Sequence, residues 1–174
     1  MYNQRYEKFS FKKEKAFEVL VYIAASVSDL YHILKIIYFA DKAHLSRYGR
    51  FINGDSYVAM KDGPVPSQSY DIIKALRKDG LYNLSKEDFE SISVEGNTVT
   101  ANRIANLDFF SDTDIECLDE SVKKYKDYTF NDLHQESSDS AYAAADRNNF
   151  ISIVDIAKTL KNSEELILYF NNIY

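Results

Sequence analysis

In the stretch KIIYFADKAHLSRYG, Asp41 and His44 stand three residues apart. On a helix that spacing puts a carboxylate and an imidazole on one face, close enough to meet. With Leu34 and Ile37 as core positions, a repeat of about 3.5 residues continues through Asp41, His44 and Tyr48, which sets the polar pair on an apolar seam. Two readings stand side by side. One is a couple that aims His44 at another chain or at the proline-rich segment downstream. The other is a satisfied core histidine, since leaving such a group unpaired costs about 1–3 kcal/mol. Asp41, His44 and the distant His134 also make three ligands of a type that zinc or iron accepts. No HExxH or CxxC spacing accompanies them, and His32, nine residues before Asp41, falls about 180° away around a helix. We expect no metal. Catalysis is not expected either: the chain has no GxSxG elbow and no GxxxxGKS/T or GxGxxG phosphate cradle. Its single cysteine, Cys117, sits beside a helical stripe, where an ordinary buried thiol is the commoner occupant. No cofactor is expected.

A second stretch raises a mechanical question. VAMKDGPVP, residues 58–66, holds both prolines of the chain, Pro64 and Pro66, together with Gly63. Pro64 biases Gly63, and Pro66 biases Val65, toward extended or turn geometry, so the segment reads as a stiff non-helical corner. A corner fixed in this way loses little conformational entropy on docking, with Val65 as a small apolar anchor and free carbonyls as acceptors. Gly63, Pro64, Val65 and Pro66 are therefore candidate partner-binding residues, together with Asp41, His44, Tyr48, Tyr70 and His134. The competing reading is that the prolines only shape the core.

The elements that must hold these residues are mostly helical. Phe17, Leu20, Val21 and Ala24 recur at helical spacing between Lys12 and Ser26. Ser28 or Asp29 caps a second helix, whose stripe of Leu30, Ile33, Leu34, Ile37, Leu45 and Tyr48 ends at Gly49. SYVAMK reads as a short strand before the corner, and Ser67 as the cap of a third helix that stops at Gly80. SISV and TVTA around EGN read as a hairpin. Ser111 with Asp114 opens a fourth helix carrying Ile115, Leu118, Val122 and Tyr125. FNDLHQESSDSAY reads as polar and broken, AYAAAD as a short helical turn, and ISIVDIAKTL and SEELILYF as two closing amphipathic segments. The class is α+β, a predominantly helical single domain over 1–174 with a small antiparallel sheet or hairpin.

Composition narrows the function. At 174 residues and 45% hydrophobic, the chain suits one domain. A lone cysteine forms no internal disulfide, and no window approaches the roughly 18 apolar residues of a membrane span, which suggests a reduced, cytoplasmic setting. Residues 1–11 read as a basic surface arm rather than a targeting peptide. The net charge of −6 is uneven: residues 108–146 carry 3 basic and 11 acidic groups, a block that repels phosphate and attracts a basic partner, or is simply a solvated face. A DNA reader built from the third helix, with Lys74, Arg77 and Lys78, and the following hairpin as a wing is the alternative. Against it, Asp71 and Asp79 share that helix and the chain is acidic.

The run KIIYFADKAHLSRYGRFINGDSYVAMKDGPVPSQSYDIIKAL, residues 35–76, resembles the signature of the Panacea family, the SocA-like antitoxin domain of bacterial and phage-associated proteins. YFAD with HL following, the RYGR end, GDSYVAM, and GPVP leading into Tyr70 carry the likeness, and Leu133–His134 falls where that family tends to have a leucine and a histidine. The proline and tryptophan usual after that histidine are replaced by SSDSAY, with Tyr142 as a loose substitute. The resemblance implies a non-enzymatic antitoxin of a toxin–antitoxin system that binds a protein toxin encoded nearby and blocks it or hands it to a protease. It does not identify the toxin.

Overall fold

The computed structural model describes residues 10–172, so most of the basic arm expected over 1–11 lies outside the described residues. Two helices come first, α1 (Lys13–Ala24) and α2 (Leu30–Tyr48). α2 starts where the Asp29 side chain accepts the His32 N–H and stops at Gly49, whose φ of +73° suits glycine. Every residue from Ile33 to Asp41 is buried, so α2 is an internal helix rather than one with a single apolar stripe. Its charged members Lys35 and Asp41 are interior with the rest.

The corner is a hairpin. β1 (Tyr57–Met60) runs antiparallel to β2 (Gly63–Pro66), in the register Tyr57↔Pro66, Val58↔Val65, Ala59↔Pro64 and Met60↔Gly63. On its other side β1 bonds residues 148–151: Ala59 N–H donates to Asn149 O, and Tyr57 O accepts from Ile151 N–H. The backbone groups of Tyr57 and Ala59 therefore point away from β2, which makes the two proline pairs the non-hydrogen-bonded pairs of the ladder. A proline there removes only the N–H that would have faced outward from the edge strand. That edge is buried against helices, where such a donor would be an orphan, and all four residues of β2 are buried. The prolines thus solve an edge problem inside the protein.

Next comes α3 (Ser67–Leu76), with Pro66 rather than Ser67 at its N-cap, and it ends before Gly80 with Lys78 at φ +64°. α4 (Lys86–Ser91), opened by a Ser85–Asp88 capping box, has no counterpart in the sequence reading, since its six residues are too few for a periodic signal. β3 (Ile92–Glu95) and β4 (Thr98–Ala101) form the expected hairpin, tied to the α1–α2 junction by Leu30 N–H to Asn97 O and Val99 N–H to Ser28 O. A 3-10 turn at Leu107–Phe109 leads to α5 (Asp112–Tyr125), whose Ser111–Asp114 capping box is the one the sequence indicates.

The polar stretch after it is helical as well. Thr129 and Asp132 box the start of α6 (Phe130–Ser137), and Asp139 caps α7 (Ser140–Ala144). Caps rather than apolar pattern nucleate these short helices. α8 (Ile153–Lys158) and α9 (Ser163–Asn172) close the fold. α2 packs against β2, α5, α6 and α8, and so carries the core on several sides. Nothing in the described residues is a helix long and apolar enough to cross a membrane.

Candidate binding site

Three polar systems radiate from α2. The first locks the hairpin. Lys35 Nζ donates to Pro64 O at 2.7 Å, on the outward edge of β2, and lies 4.9 Å from the Tyr31 ring centroid. Tyr31 donates its hydroxyl to Asp62 O in the hairpin turn, and Tyr142 donates to Met60 O at 2.7 Å. Two tyrosines and a lysine thus hold carbonyls of residues 60–64. Burial pulls the Lys35 amine down to about 7, opposed by the charge of Asp62.

The second system sits under β1. Asp41 accepts the Ile52 N–H at 2.7 Å and the Tyr57 hydroxyl at 2.6 Å. Burial raises its carboxyl to about 7 against those two hydrogen bonds. Beside it, Asp55 accepts the N–H groups of Gln68 and Ser69 and the Ser69 hydroxyl, holding the first turn of α3 against the strand.

His44 belongs to a third system. Its Nδ1 lies 2.9 Å from Arg50 O, so Nδ1 carries the proton, and Nε2 accepts from the Thr113 hydroxyl at 3.0 Å. Burial lowers the pKa of the ring. Asp114, fully buried, lies 3.3 Å from that Nε2, 2.5 Å from Lys15 Nζ and 3.0 Å from an Arg50 nitrogen. Burial pushes its carboxyl up, but the Lys15 ammonium, the Ser111 N–H and the Arg50 charge together hold it below the usual range.

These geometries correct several expectations. Asp41 and His44 do not couple, because each is claimed by a different neighbour: Tyr57 and Ile52 for the first, Arg50 and Thr113 for the second. Both are interior, as are Gly63, Pro64, Val65 and Pro66, so none of the six forms a docking surface in this fold. The pairing of β2 and the weight of α2 on it bury the corner. Tyr48 is exposed and donates to Glu116; Tyr70 is half-buried beside Lys74. His134 is half-buried and stacks 6.0 Å from Phe130, whose ring stands 4.4 Å from Tyr31. His134 therefore joins an aromatic surface and not a metal set; no group of three ligating side chains converges among the described residues. Cys117 is buried and its thiol pushed up to about 11 by burial, which keeps it protonated.

The arrangement leaves one surface next to the locked hairpin: the exposed turn residue Lys61, half-buried Asp62, and the rings of Tyr31, Phe130 and His134. Phe130 is 47% exposed at its centre. Sequence reasoning missed Lys35, Asp55, Lys15 and Phe130. The available signal for Lys35 was its place in LKIIYFA, an almost unbroken apolar run.

Residues 33–142 match the family model described as antitoxin SocA-like, Panacea domain. The chain belongs to this family. An antitoxin role in general comes with that membership. No curated protein and no solved structure matches the chain. The Panacea match contains the three polar systems apart from Lys15 of α1 and Tyr31 in the first turn of α2, which lie outside it.

Their ionisation gives a prediction. The raised Asp41 carboxyl binds its proton more tightly folded than unfolded, so it lowers stability as pH rises from about 3.8 to about 7. The lowered Lys35 amine binds its proton less tightly folded, so stability increases from about 7 to about 10.5. Melting midpoints across this range should show that Asp41→Asn removes the first trend and Lys35→Met the second.

Proposed function

We propose that this Panacea chain neutralises a protein toxin encoded near its own gene by binding it directly on the hairpin-tip surface. Tyr31, Phe130 and His134 supply the apolar contact, and Lys61 and Asp62 the polar rim. The observation that carries this reading is that Lys35, Tyr31 and Tyr142 spend their polar groups internally, fixing carbonyls of residues 60–64 beside an exposed Phe130. A backbone held this firmly has little conformational entropy left to lose on docking, and a large aromatic ring beside it is the side-chain type that most often dominates an interface. Asp41, His44 and the corner act as the scaffold of that surface.

The DNA-reading alternative finds two of its three cations engaged: Lys74 pairs with Asp71 at 2.5 Å, and Arg77 donates to Asn97 on the neighbouring hairpin, while Lys78 stands exposed just past the end of α3. That leaves α3 without the concentrated basic face such a reader uses.

The test is co-expression with the protein encoded beside the gene. The wild-type chain restores growth, and Phe130→Asp does not, since an anchoring aromatic contributes about 2 kcal/mol or more to binding. An acidic residue in the first turn of α6 is favourable to that helix, so folding is retained. Steady-state toxin levels separate blocking, which leaves them unchanged, from delivery to a protease, which lowers them. Full rescue by Phe130→Asp refutes the surface assignment.

A further inference from the structure

A groove lined by none of the hairpin-tip residues lies elsewhere on the molecule. It has a volume of about 630 Å³ and runs between the end of α1 (Tyr22, Ala25), the segment after β4 (Ile104, Leu107), and α5 (Asp119, Val122). Ile104 is 88% exposed and Leu107 is 56% exposed, so two large aliphatic side chains stand in water on one lip. Exposed apolar groups grouped along a groove mark an interaction surface more often than scattered ones do.

The charge of the groove selects what fits it. Arg103, its lining cation, is exposed but paired with Glu18 through two bonds of 2.6 and 2.9 Å, so its charge is compensated within the protein. Asp119 accepts a hydrogen bond from the Tyr22 hydroxyl and has no ion-pair partner among the described residues. Residues 108–122 contain six acidic residues and no basic one; of these acids Asp119 lines the groove, and exposed Asp108 directly follows its lining residue Leu107. Two of those acids, Glu116 and Glu120, are tied to Arg47, and Asp114 is buried with Lys15, which leaves Asp108, Asp112 and Asp119 exposed with no ion pair among the described residues. We propose that this groove binds an amphipathic helical segment of the toxin, apolar on the side that covers Ile104 and Leu107 and rich in lysine or arginine on the side that meets Asp108 and Asp119. This deepens the antitoxin reading and rests on it, as a second contact beside the hairpin tip.

The probe is a synthetic helix-forming peptide with leucines on one face and lysines on the other, titrated into the purified chain by fluorescence anisotropy. A matched leucine–glutamate peptide is the counter-probe. The lysine peptide is expected to bind at least about tenfold more tightly than the glutamate peptide, with affinity falling as salt rises. The decisive variant is Ile104→Glu/Leu107→Glu, at exposed positions where the core is untouched. It adds negative charge while removing the apolar lip, so it is expected to lose affinity for the lysine peptide by about tenfold or more. Unchanged or tighter binding by that variant means simple charge attraction and overturns the proposal. So does equal binding of both peptides, or wild-type self-association in sedimentation that the variant abolishes, which would make a second copy the occupant. Growth rescue measured with the same variant keeps the two readings apart: a groove that binds peptide in a chain that rescues nothing sinks the antitoxin assignment and leaves the groove standing.

Discussion

Gly63→Val should unfold the hairpin's anchorage and lower stability by about 2–6 kcal/mol, the sum of about 1–3 for an unfavourable backbone conformation and about 1–3 for overpacking. Gly63 sits at φ +108°, a conformation that side-chain-bearing residues rarely adopt. A Cβ placed there meets Lys35 Nζ at 2.9 Å and Ser137 Oγ at 3.0 Å, and the first of these is the amine that holds Pro64 O. Relief by moving Lys35 would leave that buried carbonyl without its donor. At about 2–4 °C per kcal/mol for a chain of this size, the melting midpoint falls by roughly 5–20 °C. The smaller change Gly63→Ala keeps the φ strain and the Lys35–Pro64 bond but adds less bulk, and should lose less than Gly63→Val. A Gly63→Val protein that melts with wild type would show that the hairpin is not held as described.

The other large effect belongs to Asp114→Ala. Its carboxylate compensates Lys15, which is itself buried, receives Arg50, and closes the capping box of α5 through the Ser111 N–H. Removing one partner of a buried ion pair costs about 3–5 kcal/mol, because the charge left behind has no water to turn to. Acid titration gives the signature of the mechanism. The folded carboxyl lies below its ordinary value of 3.8, so its stabilisation is complete above that value and fades as pH falls through the folded one. The gap in stability between wild type and Asp114→Asn should therefore be full near neutrality and narrow below about pH 4. A gap independent of pH would mean that shape, not charge, is what Asp114 supplies.

How much of this was legible in the sequence depended on the range of the interaction. Asp29, Gly49 and the Ser111–Asp114 box announce helix ends because a cap acts within four residues, and all three are where the pattern puts them. β3 and β4 around their short turn were readable for the same reason, whereas β2 was legible only as a stiff corner and not as a strand. What the pattern could not give was the destination of each polar group. Asp41 and His44 are neighbours in register, yet Tyr57 and Thr113 arrive from other elements and separate them. GPVP is rigid as expected, but rigidity says nothing about burial; the edge of β2 faces α2, and that follows only from the fold. Phe130, in a polar stretch, became visible as a surface ring only when α6 was seen to lean on Tyr31.

Isothermal titration of the purified chain with the protein encoded beside its gene, comparing wild type with Phe130→Asp, addresses the central claim most directly. We predict tight binding by wild type and a loss of about 30-fold or more in Phe130→Asp, with the variant still folding cooperatively and losing about 1–2 kcal/mol of stability from the broken Tyr31 pair. Equal affinities for the two proteins would contradict the account and move the docking surface away from the hairpin tip.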